Sequence, residues 1–234
     1  MRVAPALLVL AGCASADTTF MYTWDDRTLL CSASIDDYVA PPSWERLAQR
    51  FDDAAANGWV TMLHAHEPVA SVSLATLDRV LAMADERGLE LLTFRDLDGA
   101  PRAGLALAFD DDQVKWWVQA RDVLAAHHAH VTYFVTRWQT FGAEELTDIR
   151  LLESDGHDLE PHSVDHLKAL EYVAAHGVDA YVTEQVLPSF DPLIAEGYAP
   201  TTYAYPFGER SDEIDAAILP HIARVRTTAG FCPY

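Results

Sequence analysis

Short apolar runs alternate with segments of helical periodicity along most of the chain. Strand-like runs occupy residues 28–34, 59–63, 89–94, 104–109, 131–136, a short stretch reaching His162, 201–206 and 222–227. Apolar residues recur at helical spacing over residues 44–56, 74–87, 114–127, 144–154, 164–175, 180–196 and 212–219. Runs such as LALAF at residues 105–109 are apolar on both faces, as in strands covered on both sides. The alternation predicts right-handed βα units and a parallel sheet of seven or eight strands, closed into a single α/β barrel.

The length and the charge of the chain narrow the possible functions. At 234 residues, one barrel would use nearly the whole sequence. The formal net charge of −20 argues against nucleic acids and anionic membrane surfaces as partners, because both are polyanions. An acidic surface is otherwise typical of a solubility or salt adaptation and identifies no substrate.

The N-terminal residues have the features of an export signal. Arg2 is followed by an apolar run over residues 3–10 and then by Leu-Ala-Gly-Cys, which resembles a bacterial lipobox. This resemblance predicts a signal peptide over residues 1–13, lipidation of Cys13, a tether over residues 14–27 and the barrel over residues 28–234. Ala14 after the cysteine favours the outer membrane, again by resemblance, and the lipid would be the only membrane contact. An ordinary signal peptide or a misassigned start is the alternative.

Acids and imidazoles collect where the predicted strands end, which is where barrel enzymes place their catalytic groups. Oxygen and imidazole ligands together suit a divalent ion such as zinc. His162 and His166 are four residues apart, so we expect them on one face of a helical turn. The strand-end residues are Asp36, Asp37, His64, His66, Asp110, Asp111, Asp112, His162 and residues 205–208.

Two of these stretches resemble motifs of the polysaccharide deacetylases with NodB homology, carbohydrate esterase family 4. FDDD at residues 109–112 is similar to the family's first motif, T-F-D-D-G, and HSVDH at residues 162–166 matches H-[S/T]-x-x-H. The resemblance implies that Asp110 is the catalytic base. It also implies that Asp111, His162 and His166 hold the metal, for which we expect zinc.

The third motif, R-x-P-[Y/F]-G, resembles residues 204–208, with Ala204 in place of the arginine that orients the base. The resemblance assigns the substrate and oxyanion contacts to this segment, at Tyr205, Pro206 and Phe207. Either Arg226 or Arg210 could replace the missing arginine.

The remaining motifs resemble N-terminal segments, so their order implies a circularly permuted NodB-type barrel, a distorted (β/α)7–8 fold. The strand ending at Asp36 and Asp37 resembles the fourth motif, and the strand ending at His64 resembles the fifth. By this resemblance His64 is the catalytic acid, oriented by one of the two aspartates. Closure of a permuted barrel would also bring Cys31 and Cys232 together in a disulfide; two free thiols are the alternative.

The resemblance implies a metal-dependent hydrolase that acts on a non-peptide C–N bond and removes N-acetyl groups from a cell-envelope or extracellular polysaccharide. Two alternatives stay open, namely a silent carbohydrate-binding lipoprotein on the same fold and a metal-dependent O-acetyl esterase. The sequence indicates no oligomeric state.

Overall fold

The computed structural model describes residues 18–38 and 40–233. Within them the strands are β1 (Met21–Tyr22), β2 (Leu29–Ser34), β3 (Val60–Ala65), β4 (Glu90–Leu92), β5 (Gly104–Asp111), β6 (Thr132–Val135), β7 (Asp158–Pro161), β8 (Thr202–Ala204) and β9 (Arg224–Thr228). The helices are α1 (Trp44–Asn57), α2 (Leu74–Asp85), α3 (Val114–Trp117), α4 (Arg121–Ala126), α5 (Ala143–Ser154), α6 (Ala169–His176), α7 (Val178–Tyr181), α8 (Asp191–Ala195) and α9 (Asp212–Ile218).

The sheet is a nearly closed parallel barrel surrounded by helices, so the barrel prediction is confirmed. Its strand order is β7-β6-β5-β3-β2-β9-β8, with β4 beside β5 and the short β1 antiparallel to β3. Between β7 and β8 the buried carboxylate of Glu160 accepts hydrogen bonds from the N–H groups of Thr201 and Thr202, at 2.8 and 3.1 Å. This side chain therefore spans the gap at which the two ends of the sheet meet.

Alternation along β5 explains both the core and the position of the first motif. Leu105, Leu107 and Phe109 belong to the core between sheet and helices, whereas Ala106 and Ala108 belong to the core inside the barrel. Because side chains alternate between faces, the next inward position is occupied by an aspartate, Asp110, which is 3 % exposed. The strand thus places one carboxylate inside the barrel.

Local signals explain the ends of the first two helices. Gly58 terminates α1 in the left-handed conformation, with φ 71°, which glycine adopts at little cost. Ser73 is the N-cap of α2, and its hydroxyl accepts a hydrogen bond from the N–H of Thr76.

Residues 14–27 were expected to form a tether, but the described part of this segment contains a strand. Met21–Tyr22 form β1 and are buried, with Met21 opposite Thr61 and Tyr22 opposite Val60. The edge of β3 is open at these positions, because β2 pairs with β3 only further along, at Leu63 and His64. A two-residue strand is too short to produce a recognisable sequence pattern, and Cys13 with residues 1–17 lies outside the described residues.

Three predicted helices also differ from those observed. The helix expected over residues 114–127 is divided into α3, a 3₁₀ turn and α4, and the one expected over residues 180–196 is divided by a π-helical turn, Val182–Val186, and by two prolines. Residues 164–168, expected to begin a helix, form an irregular loop before α6. None of the helices in residues 18–38 and 40–233 has the length and apolar character needed to cross a membrane.

Cys31 of β2 and Cys232, beyond β9, are joined in a disulfide, with their Cα atoms 5.9 Å apart. The two strands are neighbours in the sheet, and Cys31 lies opposite Thr227. The bridge therefore connects β2 with the segment after its neighbouring strand β9, through positions that are 201 residues apart in the sequence.

Candidate active site

A cavity of about 440 Å³ opens at the carboxyl ends of the strands. Most of the acids and histidines that the sequence placed at strand ends line it, together with the third-motif segment and the end of β9. The lining residues are Ser34, His64, His66, Asp110, Asp111, His162, His166, Tyr205, Phe207, Gly208, Thr228, Ala229 and Gly230.

The three expected metal ligands converge on one side of this cavity. One ligand atom from each of Asp111, His162 and His166 lies within 4.8 Å of the others. The Nε2 atom of His166 is 2.9 Å from Oδ1 of Asp111, and that of His162 is 3.7 Å from the same oxygen.

The chemistry of these donors fits a divalent cation. Oδ1 of Asp111 is buried and has no hydrogen-bond partner in the described residues, although both imidazoles face it. The ring of His162 contacts the carbonyl oxygen of Ala204 through Nδ1, at 2.9 Å, which leaves Nε2 as the atom facing Asp111. Burial lowers the pKa of His162 to about 4, so the ring is neutral, as a metal ligand requires. One carboxylate and two imidazoles form a donor set suited to zinc.

The backbone around the ligands is strained. Asp111, Ser163, His166 and Phe207 have φ values of 85°, 68°, 58° and 57°, in the region that side chains other than glycine's rarely adopt. Thr136 helps to hold the ligand segments together, because its N–H donates to the carbonyl of Asp111 and its hydroxyl donates to that of Ser163, both at 3.0 Å. The two histidines therefore converge through an irregular loop, and the helical turn expected for them is wrong. Non-helical conformations at two of the loop's five residues prevent that turn.

Arg226 occupies the place of the missing third-motif arginine. It lies on β9 directly opposite Ala204 of β8, is fully buried, and donates from Nη2 to Oδ1 of Asp110 at 2.5 Å. Burial acts to raise the pKa of Asp110, but the charge of Arg226 and smaller contributions from the neighbouring histidines together outweigh it and hold that pKa below its usual range. Arg210 instead pairs with Asp215. Asp110 is therefore an ionised carboxylate held by an arginine from the neighbouring strand.

A second pair of charged groups lies at the edge of the cavity. Asp36 accepts from the backbone N–H of His66 at 3.0 Å and contacts its ring Nδ1 at 2.7 Å. Burial would lower the pKa of His66, but the hydrogen bond to Asp36 and the charge of Asp110 raise it to about 9. His66 is therefore protonated at neutral pH and lines the same cavity as Asp110.

His64 does not have the properties expected of the acid. It is 4 % exposed, its Nδ1 lies 2.9 Å from the hydroxyl of Ser32, and burial lowers its pKa to about 4. Neither aspartate orients it, contrary to the prediction, because Asp36 pairs with His66 while Asp37 bonds Ser73 at the start of α2. His64 lies on β3 and His66 directly follows it, and the loop after β2 brings Asp36 to His66.

Within the third motif, the structure distinguishes the expected oxyanion donors. The N–H of Tyr205 already donates to the carbonyl of Arg226 at 3.0 Å, and its hydroxyl donates to Asp215 at 2.7 Å. Pro206 has no N–H. The 3₁₀ turn Pro206–Gly208 is closed by the N–H of Gly208, which donates to the carbonyl of Tyr205, and by the N–H of Glu209, which donates to the carbonyl of Pro206. The N–H of Phe207 takes no part in these two hydrogen bonds.

The end of β9 and the residues after it also form part of the wall of the cavity. Thr228, Ala229 and Gly230 line it, and the disulfide at Cys232 follows directly. Gly208 packs so closely here that a Cβ atom would lie 2.3 Å from Oγ1 of Thr228. This contact requires glycine at the end of the third motif.

Comparison with known proteins agrees with this geometry. Residues 98–221, more than half of the chain, match the model of the family described as polysaccharide deacetylase. The chain belongs to the polysaccharide deacetylase family. No curated protein is similar enough in sequence to count as a match.

Solved deacetylase structures share the fold. The chain is 17 % identical to the Streptococcus pyogenes deacetylase PplD, with a TM-score of 0.54 over 86 % of this chain and 89 % of that one. It is 12 % identical to the BpsB deacetylase domain of Bordetella bronchiseptica, with a TM-score of 0.53 and coverage of 90 % and 96 %. IcaB from Ammonifex degensii is 14 % identical, with a TM-score of 0.51 and coverage of 86 % and 84 %. At these identities the similarity establishes the polysaccharide deacetylase barrel alone.

Proposed function

We propose that this member of the polysaccharide deacetylase family is a zinc-dependent N-deacetylase of an N-acetylated envelope or extracellular polysaccharide. The observation that carries the proposal is that one cavity holds the Asp111–His162–His166 triad, a candidate base and a candidate acid. The candidate base, Asp110, is hydrogen-bonded by Arg226, and the candidate acid, His66, is paired with Asp36.

The residues of the chain divide the reaction between them. A bound divalent cation supplies polarisation of the acetyl carbonyl and lowers the pKa of a water molecule. Asp110 accepts a proton from the attacking water, and Arg226 keeps that carboxylate oriented and ionised beforehand. The N–H of Phe207 donates to the oxyanion that develops on the carbonyl oxygen.

His66 completes the reaction as the acid. Its imidazolium donates a proton to the amine nitrogen as the C–N bond breaks, which gives acetate and the free amino sugar. Asp36 holds the ring through Nδ1, which leaves the Nε2 proton for transfer. His66 therefore replaces His64 as our proposed acid.

Acetate release tests this function directly. The full chain, loaded with zinc, is incubated with N-acetylglucosamine oligosaccharides and, separately, with O-acetylated xylan, and acetate is measured. We expect release from the amide substrate and its loss in Asp110→Asn. Release from esters alone would instead indicate an O-acetyl esterase, and zinc binding without any release would indicate a silent carbohydrate-binding protein.

We also propose that the chain is exported and anchored through a lipid on Cys13. The lipobox-like sequence supports this, as does a disulfide of a kind that persists in oxidising compartments. Incorporation of labelled palmitate that is lost in Cys13→Ser is the expected result; equal labelling of both proteins would contradict it.

A further inference from the structure

The loop between β7 and α6 supplies two of the three proposed metal ligands, yet it has no regular structure of its own. Ser163 and His166 both have positive φ. The hydroxyl of Ser163 accepts from the N–H of His166 at 3.0 Å, which is a short-range contact within the loop. Because positive φ is unfavourable for these residues, contacts from other segments must stabilise this conformation.

Gln185 makes three such contacts from one side. Its carbonyl oxygen accepts from the N–H of Val164 at 2.9 Å, and its side-chain Oε1 accepts from the N–H of Asp165 at 3.1 Å. Its Nε2 donates to Oδ2 of Asp165 at 2.9 Å. One residue therefore fixes the backbone of two consecutive loop residues that lie directly before His166.

The position of Gln185 in the fold is unusual. It lies in the π-helical turn Val182–Val186 and is 5 % exposed. Single π turns are rare and occur frequently at functional sites. Here the turn interrupts a segment of helical periodicity and presents both the main chain and the side chain of Gln185 to the ligand loop.

The turn after β6 supports the opposite side of the loop. The N–H of Arg137 donates to the carbonyl of Val164 at 3.0 Å, and Nε2 of Gln139 contacts the same carbonyl at 3.2 Å and Oδ1 of Asp165 at 3.1 Å. Gln139 is exposed, so water competes for its hydrogen bonds, whereas loss of the buried Gln185 amide leaves its partners unsatisfied. Gln185 therefore carries more of the constraint.

We propose that Gln185 is a positioning residue which, through Asp165, holds the ligand loop in its metal-binding conformation and thereby sets the affinity for the divalent cation. The inference rests on the cation site of the proposed function. Residues behind metal ligands typically change metal affinity by about 10- to 100-fold when they are replaced. A loop that is ordered beforehand loses less conformational freedom on binding, which is the physical basis of this effect.

A swap of functional groups provides the test. Gln185→Glu replaces the amide donor with a second carboxylate opposite Asp165, so we expect the zinc Kd, measured by chelator competition, to rise by about tenfold or more. In the double variant Asp165→Asn/Gln185→Glu the new amide can donate to the new carboxylate, which still accepts from the backbone N–H of residue 165. The double variant should recover most of the affinity.

Two further variants separate positioning from general damage. Gln49→Glu is a matched control, because Nε2 of Gln49 also donates to an aspartate, Asp53, at 3.0 Å, but on the exposed surface of α1. Its zinc Kd should equal that of the wild type. Asp165→Ala removes the acceptor of the same side-chain hydrogen bond from the exposed side of the contact. Its zinc Kd should rise, and the Tm of the zinc-free protein should fall by no more than it does in Gln185→Glu, because no second carboxylate is introduced.

The outcomes distinguish this inference from the proposed function. If the wild type failed to bind zinc, the cation site itself would be refuted. If the wild type bound zinc, and both Gln185→Glu and Asp165→Ala bound it with the Kd of the wild type, the role of Gln185 would be refuted while the cation site would stand. A double variant as weak as the single one would also refute that role, because the effect would then not depend on the complementary hydrogen bond.

Discussion

Replacement of Asp36 by Asn removes the carboxylate that raises the pKa of His66 and leaves the shape of the side chain nearly unchanged. The hydrogen bond and the charge of Asp36 are among the causes that raise the pKa of His66 from 6.5 to about 9, against the lowering effect of burial. Without Asp36 we expect the pKa to return to about its ordinary value of 6.5, or below it. An acid must be protonated to act, so activity is lost as the pH rises through this pKa.

The size of the effect depends on pH. At pH 8 a group with a pKa of about 9 is roughly 90 % protonated, and one with a pKa of about 6.5 is roughly 3 % protonated. Asp36→Asn should therefore lower kcat/KM by about 30-fold at pH 8 and by less than about twofold at pH 6. A bound cation near the site would lower the pKa in both proteins, so the difference between their alkaline limbs is the quantity to compare.

The assay is kcat/KM for acetate release between pH 5.5 and pH 10, with Asp37→Asn as the matched control. Asp37 is the adjacent aspartate, but it bonds Ser73 and Thr76 at the start of α2 and has no contact with His66. We expect that variant to lower the Tm and to leave the alkaline limb in place. An equal loss of activity at every pH in Asp36→Asn would refute the assignment of His66 as the acid.

Three further outcomes follow from the same site. Arg226→Ala should lower kcat by about 10- to 100-fold, because a hydrogen bond between charged groups contributes about 1.5–3 kcal/mol. The double variant Arg226→Ala/Ala204→Arg should recover part of this kcat. No recovery would indicate that the arginine must come from its position on β9. Dialysis against a chelator should abolish acetate release and lower the Tm, and zinc should restore both; unchanged activity would exclude a metal requirement. Cys31→Ser/Cys232→Ser should reduce the free energy of unfolding by about 2–5 kcal/mol in urea titrations. It should also raise KM, because the cavity wall at Thr228 becomes less ordered. An unchanged free energy of unfolding and an unchanged KM would contradict a structural role for the disulfide.

Residues that depend on position along one strand were predictable from the sequence. The apolar run LALAF at residues 105–109 predicts a strand that is covered on both faces and leads to Asp110, although it does not show which face lies inside the barrel. The ends of parallel strands meet at one edge of the sheet, so most of the strand-end histidines and acids line one cavity, whereas Asp36, Asp37 and Asp112 do not. The polysaccharide deacetylase family is likewise confirmed from motifs at these ends.

Features that depend on register and loop direction were not predictable from one sequence. Arg226 lies opposite Ala204 because of the register between β8 and β9, and these two residues are 22 positions apart in the chain. His64 lies on β3 and His66 directly follows that strand, and the sequence alone does not show which of them the loop after β2 reaches. The sequence signal that would have helped is the spacing of two between the histidines, since it marks both as candidates for the acid.

The gap between β7 and β8 gives this barrel an unusual kind of closure. Where other neighbouring strands are joined by backbone ladders, Thr201 and Thr202 direct their amides to the carboxylate of Glu160. Protection of those two amides from hydrogen exchange therefore depends on one side chain and can be lost without unfolding of the rest of the sheet. His162 lies two residues after Glu160, just beyond the end of β7. Loss of the Glu160 hydrogen bonds would therefore also separate a proposed zinc ligand from Ala204, whose carbonyl contacts its ring.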